Sequence, residues 1–458
     1  MGEYSAYRNI ELNDKTLSER VEKTLEQLGS DPGASVSAAC KDPHQAKAVY
    51  RLIANEKFTA DALLKVSHNE TVRRIAENGA KVILIPQDTT TLNYSGLKNT
   101  EGLGDICGRQ SNLGILLHSA IAVGEDGQPY GLLSAKAWVR PKEEFGKKHK
   151  RKQLPIEEKE SYKWIETLVN SNIAKKLDKV KVIHVCDREG DVYEFFAKAS
   201  FEGATYLCRR MHNRAIASGS QETLYIDTYI DNLSVAGEII VDVPYDSHTK
   251  REARTAKLEI KFGKTTIKRP ASVSNIKDLP VTVEVSLISA QEIDAPDGIE
   301  PISWQLVTND KVETLDDAIV CVKRYTHRWK IEIFHRVLKG GCKAEKLQAS
   351  TSEKLIKLIV LYSIIALQIM MLTFWARTCP DESCEIAFKK DEWRILYKVT
   401  HKTKSAPEAP PTVYEAVIMI AKLGGFLARK SDGFPGVTVI WRGLTRFYSI
   451  LDASQYLT

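Results

Sequence analysis

An α/β fold with helical regions at both ends is the fold class that the sequence predicts. Short apolar runs typical of β-strands alternate with helical connections between residues 81 and 209. A second, β-rich group of runs follows between about 222 and 310. Helical spacing of apolar residues dominates residues 1–66 and returns after 314.

Residues 1–66 are the first predicted domain, an all-helical one. Leu17, Val21, Leu25 and Leu28 recur at helical spacing. Cations are spread over the whole region: Lys15, Arg20, Lys23, Lys41, Lys47 and Arg51. A compact basic helical module is typical of a DNA-binding domain, although a helical subdomain with ordinary surface lysines fits the same pattern.

Two of the predicted strands end in a carboxylate. Residues 81–88 end at Asp88 and residues 181–187 end at Asp187, while 114–123, 131–139 and 204–209 are further strands. Strand ends form the rim of an α/β sheet, where binding sites usually lie. Both acids also have ordinary explanations, Asp88 as a turn cap and Asp187 as a partner of Arg188.

Two features interrupt the alternation of strands and helices. Residues 147–152 contain five cations and a histidine, which could follow a DNA backbone, although a solvated loop is the default interpretation. The β-like runs between 222 and 310 predict an antiparallel insertion rather than a separate domain, because the helix that completes the candidate site comes after them. Residues 314–317 are predicted to cap that helix.

Residues 325–339 predict one helix with an unusual polar stripe. Its members are spaced by three, four, four and three residues: Tyr325, Arg328, Glu332, Arg336 and Lys339. Ile331, Phe334 and Leu338 fall on the opposite side, where they can anchor the helix. The stripe fits a solvated helix with internal ion pairs, or a metal ligand flanked by phosphate-binding cations.

Composition excludes several classes of protein. Apolar residues make up 43% and charged residues 27%, as in an ordinary globular protein, and the net charge of +6 permits a polyanionic partner. Eight single cysteines without zinc spacing, and a start without an apolar signal region, favour a reducing cytoplasm. Residues 358–376 are apolar enough for a membrane span, but we expect a buried core helix and no membrane.

Asp88, Asp187 and Glu332 together form an oxygen-donor set that suits Mg²⁺ or Mn²⁺. Two such ions can polarise a phosphodiester and activate the attacking oxygen. Glu189 and Asp191 are nearby acids that we expect at most to support this set.

Three motifs resemble the acidic motifs of bacterial DDE transposases: residues 87–94, 185–191 and 325–332. The third motif, with Lys339, carries the Y-(2)-R-(3)-E-(6)-K signature of the IS4 family, and the chain most resembles the Tn5 (IS50) type. Residues 14–56 are similar to the DNA-binding domain of that family. Residues 420–426 and 441–444 are similar to its dimerisation region.

The resemblance implies an RNase H-like catalytic domain over residues 67–375 with a β-rich insertion, followed by a mostly helical dimerisation region over 376–458. It implies that Asp88, Asp187 and Glu332 bind the metal ions and catalyse hydrolysis of transposon ends, hairpin formation and joining of the 3′-hydroxyl to target DNA. It also implies a homodimer on double-stranded DNA, in a bacterial cytoplasm and on the nucleoid when bound.

The resemblance further implies roles for residues that contact DNA. Tyr325, Arg328 and Lys339 would hold the phosphate of a flipped base, with Arg336 beside them. Trp304 would stack on that base, although a tryptophan in a strand is more often a core residue. Arg209 and Arg51 would contact DNA from the catalytic and N-terminal domains.

Two features depart from the family pattern, the N-terminal motif and the cluster at 147–152, which is more basic than the matching loop of the family. The N-terminal motif reads Asn13-Asp14-Lys15-Thr16, where the family commonly begins Gly-Asp and continues with an arginine. Three other functions compete with the one implied. A catalytically silent end-binding inhibitor would bind without cleaving. A plain magnesium nuclease would cleave without joining, and a membrane protein, the most remote alternative, would need detergent.

Overall fold

The computed structural model describes residues 4–40, 42–107, 112–141, 154–177, 179–217, 223–243, 252–273, 279–429 and 432–454. The chain divides into two compact units. The helical unit comprises Met1–Gly79, Thr89–Lys147 and Lys330–Thr458. The sheet unit comprises Ala80–Asp88 and Lys148–Trp329. The basic stretch at 147–152 lies outside the described residues.

Helices and strands are numbered in chain order within the described ranges. The α-helices are α1 (Lys15–Ser30), α2 (Val36–Cys40), α3 (Pro43–Ala54), α4 (Ala60–Asn78), α5 (Tyr162–Ser171), α6 (Tyr193–Phe201), α7 (Ile226–Asp231), α8 (Leu315–Thr326), α9 (Trp329–Arg336), α10 (Ser352–Thr378), α11 (Lys390–His401), α12 (Val413–Leu423) and α13 (Val437–Ser454). The strands are β1 (Val82–Asn93), β2 (Gly104–Asp105), β3 (Leu113–Gly124), β4 (Pro129–Trp138), β5 (Lys181–Cys186), β6 (Thr205–Arg209), β7 (Ala215–Ile216), β8 (Leu224–Tyr225), β9 (Gly237–Val243), β10 (Arg254–Lys268), β11 (Thr282–Ile293) and β12 (Ser303–Thr308).

The sheet unit is built on a mixed sheet, which confirms the predicted α/β class. Strand β5 pairs in parallel with β1 and β6, and β12 joins β6 in antiparallel orientation. Strands β11, β10 and β9 continue the antiparallel order, as predicted for the β-rich region. Helices cover both faces, so the central strands are apolar almost throughout.

The helical unit is organised around α10. This 27-residue helix is long and apolar enough to cross a membrane by length and composition, yet 89% of its most apolar window is buried inside the unit. Helices α1, α3, α4, α12 and α13 and strand β4 pack on it. A helix surrounded on all sides needs no polar face, so the prediction of a core helix is confirmed.

The predicted single helix over 325–339 is wrong. Helix α8 ends at Thr326, and the amides of His327 and Arg328 donate to carbonyls three residues earlier, which tightens the backbone turn before α9. A π-turn at Val337–Gly341 follows, so the five polar residues do not share one straight helical face. The predicted anchors are correct, because Ile331, Phe334 and Leu338 are fully buried.

Thr314 forms the predicted cap of α8. Its hydroxyl accepts the Asp317 amide at 3.2 Å, and the Asp317 carboxylate accepts the Thr314 amide at 2.9 Å. We expect Thr314→Ala to lower the free energy of unfolding by about 1 kcal/mol, because the Asp317 amide loses its acceptor and the Asp317 carboxylate loses the hydroxyl that donates to it. Urea denaturation measures the loss. Thr314→Ser keeps the hydroxyl and should be nearly neutral, and an equal loss in both variants would contradict the cap.

Candidate active site

Asp88 and Asp187 lie side by side at one edge of the sheet unit. Parallel pairing aligns Pro86 with Val185, and each acid follows two residues later. One residue before the acids, the Gln87 amide donates to the Cys186 sulfur at 3.4 Å. Strand β1 continues to Asn93, so Asp88 marks where pairing with β5 stops rather than the strand end that the sequence predicted.

Arg328 lies against this pair of carboxylates. Its Nη1 is 3.9 Å from Asp88 Oδ2, and its guanidinium lies 4.8 Å from the centre of the Trp329 ring. Burial raises the pKa of Asp187, and the charge of Glu189 adds to this, while Arg328 acts to lower it. Arg328 is only 9% exposed. Two acids and one guanidinium therefore share a partly dehydrated edge of the sheet, where charges interact more strongly than in water.

The donor atoms at this edge suit an oxygen-binding cation. Burial raises the pKa of the Cys186 and Cys208 thiols well above its usual value, so these neighbours do not offer thiolates. The donor atoms left at this edge are the carboxylate oxygens of Asp88 and Asp187. Mg²⁺ and Mn²⁺ prefer oxygen ligands of this kind. Within the described ranges, no three His, Cys, Asp or Glu side chains lie close enough together to hold a metal ion.

The sheet unit also brings together four residues assigned to DNA contact. The rings of Trp304 and Tyr325 meet edge to face with their centres 5.7 Å apart. Arg209 donates to the Ser303 carbonyl at 2.8 Å and interacts with the Tyr325 phenol. Burial raises the pKa of Tyr325, so its hydroxyl stays a donor at neutral pH. Arg328 completes a cluster of cations and aromatic rings in which Tyr325 is 3% and Arg328 is 9% exposed. Such side chains suit phosphates and bases.

The remaining candidates lie in the helical unit. Glu332 is half-buried in the first turn of α9, and Arg336 is exposed at its end. Lys339 lies in the π-turn with its Nζ 3.9 Å from a Glu345 oxygen, and the same oxygen accepts the Asn93 amide. Arg51 is exposed in the last turn of α3.

Two ion pairs near Asp187 give their members roles that the sequence did not reveal. Asp191 is buried and pairs with Arg214 at 2.7 Å, and its other oxygen accepts the amides of Met211 and His212. Lys163 on α5 is 7% exposed and pairs with Glu189 at 3.2 Å. A single lysine in an amphipathic helix resembles any surface lysine, so no sequence signal marked it.

Comparisons with known proteins identify both ends of the chain. Residues 5–58 match a family model described as transposase DNA-binding. Residues 364–458 match the family model of the transposase Tn5 dimerisation domain. A cryo-EM structure of the piggyBac transposase synaptic complex with hairpin DNA is similar at 9% sequence identity and a TM-score of 0.35, over 99% of this chain and 79% of that one. Two family models of transposase domains thus match the two ends of one chain, which supports a Tn5-like transposase.

Proposed function

We propose that the chain is a cut-and-paste DNA transposase whose metal-binding catalytic acids are Asp88, Asp187 and Glu332. The positions of Asp88 and Asp187, each two residues beyond the last pair of two parallel strands, carry the proposal, because they bring two carboxylates to one sheet edge. We further propose that strands β1, β5 and β6 with their covering helices form an RNase H-like core. The sequence motif around Glu332 supplies the third acid.

The acids are proposed to hold two Mg²⁺ or Mn²⁺ ions. When bound, such ions polarise a phosphodiester and activate the attacking oxygen, water for cleavage and a 3′-hydroxyl for hairpin formation and joining. Arg328 holds Asp88 in place, and its guanidinium would bind a phosphate of the DNA. Partial burial of Asp187 limits competing water.

DNA handling is assigned to residues of both units. In the sheet unit, Tyr325, Arg328 and Arg209 would hold phosphates near the cleaved end, and the Trp304 ring would stack on a displaced base. In the helical unit, Lys339 and Arg336 extend the contact, and Arg51 contacts the end repeat through the N-terminal domain. We propose that two copies, joined through residues 364–458, hold the two transposon ends.

The test uses labelled DNA that carries the element's own ends, a target plasmid, and Mg²⁺ or Mn²⁺. We expect cleavage at the end junction, a hairpin product and joined DNA, all abolished by a chelator. Glu332→Gln should slow cleavage at least about a hundredfold, because one lost ligand costs about 3 kcal/mol of catalysis. Asp316→Asn, which alters an exposed acid in the first turn of α8, should cleave normally.

Each of the other outcomes would favour a different function for the chain. Tight binding of the ends without cleavage in any metal would favour an end-binding inhibitor and overturn the enzymatic proposal. Cleavage without joining to the plasmid would favour a plain nuclease. Cleavage that survives Glu332→Gln would remove this residue from the catalytic set.

A further inference from the structure

Lys163 is a buried lysine at the start of α5. Its side chain is 8% exposed, with Nζ 3.2 Å from Glu189 Oε2 and 4.0 Å from Glu160 Oε1. Removing an ammonium group from water is costly unless it is paired. The side chain therefore stays in this position because carboxylates surround it, and Glu189 is the nearer of the two.

Glu189 belongs to the short turn that orients Asp187. The Glu189 amide donates to Asp187 Oδ1 at 2.8 Å, and the Gly190 amide donates to the Asp187 carbonyl at 3.1 Å. The orientation of the Asp187 carboxylate and the shape of the turn are therefore coupled. An interaction that fixes the position of Glu189 therefore also restricts the Asp187 carboxylate, because the Glu189 amide donates to it.

Helix α5 contacts this turn a second time, through Trp164. A Cβ atom added to Gly190 would lie 3.3 Å from Trp164 Cε3 and 2.6 Å from the Cys186 Cβ. The close approach to Cys186 is what requires glycine here, and the turn also lies against the fully buried tryptophan. Two consecutive residues of α5 thus hold two consecutive residues of the turn, one by charge and one by packing.

We infer that Lys163 is a positioning residue for Asp187. Its ammonium group fixes the Glu189 side chain, and the Glu189 backbone amide fixes the carboxylate of Asp187. The inference rests on the proposed catalytic role of Asp187 for its functional consequence. Side chains that orient a metal ligand commonly change metal affinity or activity about 10–100-fold when removed.

The test compares four variants by hydrogen exchange, by cleavage and by affinity for end DNA. Hydrogen–deuterium exchange of a peptide spanning 187–191 reports the turn, and single-turnover cleavage at increasing Mg²⁺ reports the half-saturating concentration. We expect Lys163→Met and Glu189→Gln to speed exchange and to raise half-saturating Mg²⁺ by about tenfold or more, with unchanged affinity for end DNA. Lys163→Arg should keep the exchange rate and the half-saturating Mg²⁺ concentration close to those of the wild type. Glu160→Gln should leave both quantities unchanged.

Together, exchange, cleavage and DNA affinity separate failure of this inference from failure of the proposed function. If Lys163→Met exchanges and cleaves like the wild type, Lys163 does not position Asp187, while the transposase activity stands. If Lys163→Met weakens DNA binding without altering exchange, the lysine is a phosphate contact and the inference is wrong. If the wild type does not cleave end DNA, the proposed function fails, and exchange alone still decides whether Lys163 holds the turn.

Discussion

Asparagine at position 187 is expected to abolish strand cleavage without weakening the fold. The amide keeps the size of the carboxylate but loses its charge and one acceptor oxygen. We expect single-turnover cleavage to fall by about a thousandfold or more, which corresponds to about 4 kcal/mol of lost catalysis. Asp88→Asn should behave in the same way, because register places it beside Asp187.

The thermal stability of Asp187→Asn should not fall with its cleavage activity. Burial raises the pKa of Asp187, so at neutral pH its charge is disfavoured in the folded state compared with the unfolded state. A neutral side chain should therefore leave the melting temperature unchanged or raise it. Differential scanning calorimetry measures this, and a large drop in the melting temperature would mean that Asp187 is needed for folding.

Asp191→Asn is the matched control from the same motif. The Asp191 carboxylate is 98% buried, pairs with Arg214, and accepts two backbone amides. Breaking a buried pair by neutralising one partner typically costs about 3–5 kcal/mol of stability. We expect this variant to unfold at lower temperature and to keep cleavage wherever it remains folded. A stable Asp191→Asn variant that no longer cleaves would contradict this assignment, because it would give Asp191 the catalytic role.

The second large effect is expected where α12 crosses α13 within the matched dimerisation domain. A Cβ atom at Gly443 would overlap the backbone carbonyl of Ile420. A Cβ atom at Gly424 would likewise overlap the carbonyl of Val439. These are backbone atoms that cannot rotate away. Gly443→Ala should therefore lower the free energy of unfolding by about 1–3 kcal/mol, although alanine favours helices.

Gly340→Ala provides the control for this change. Gly340 lies in a helical turn, is exposed, and has open space where a Cβ atom would be. We expect it to be neutral or slightly stabilising. Urea denaturation compares the stabilities, and analytical ultracentrifugation with end DNA compares dimer assembly, which Gly443→Ala should impair. Equal free energies of unfolding in Gly443→Ala and Gly340→Ala would contradict the prediction, because α12 and α13 would then move apart without loss of stability.

The sequence allowed prediction of features that depend on local patterns. Apolar runs located β1, β5 and β6, and the Thr314–Asp317 spacing located the start of α8. Motif spacing selected Asp88 and Asp187, and strand pairing places them together. The break after Thr326 could not be predicted, because the helical spacing on both sides of it is regular.

Features that depend on tertiary contacts also escaped prediction. Lys163 is important only because α5 packs against the turn after β5, and no local pattern encodes that contact. Asp191 looked like another member of an acidic motif, yet Arg214, 23 residues away, gives it a structural role. Sequence patterns identified the chemical groups, whereas packing determined which of them are held in place.

The position of α10 along the chain governs the order in which the protein can be completed during synthesis. Helices α1 and α3 share one hydrophobic core with α10, in which Leu25, Val49 and Leu358 are all fully buried. The ribosome makes α10 about 270 residues after α4, which at about 5–20 residues per second is a delay on the order of tens of seconds. The first helices of each new chain therefore wait with an unfinished core, and a message truncated before residue 352 would release them without the partner that covers their apolar sides.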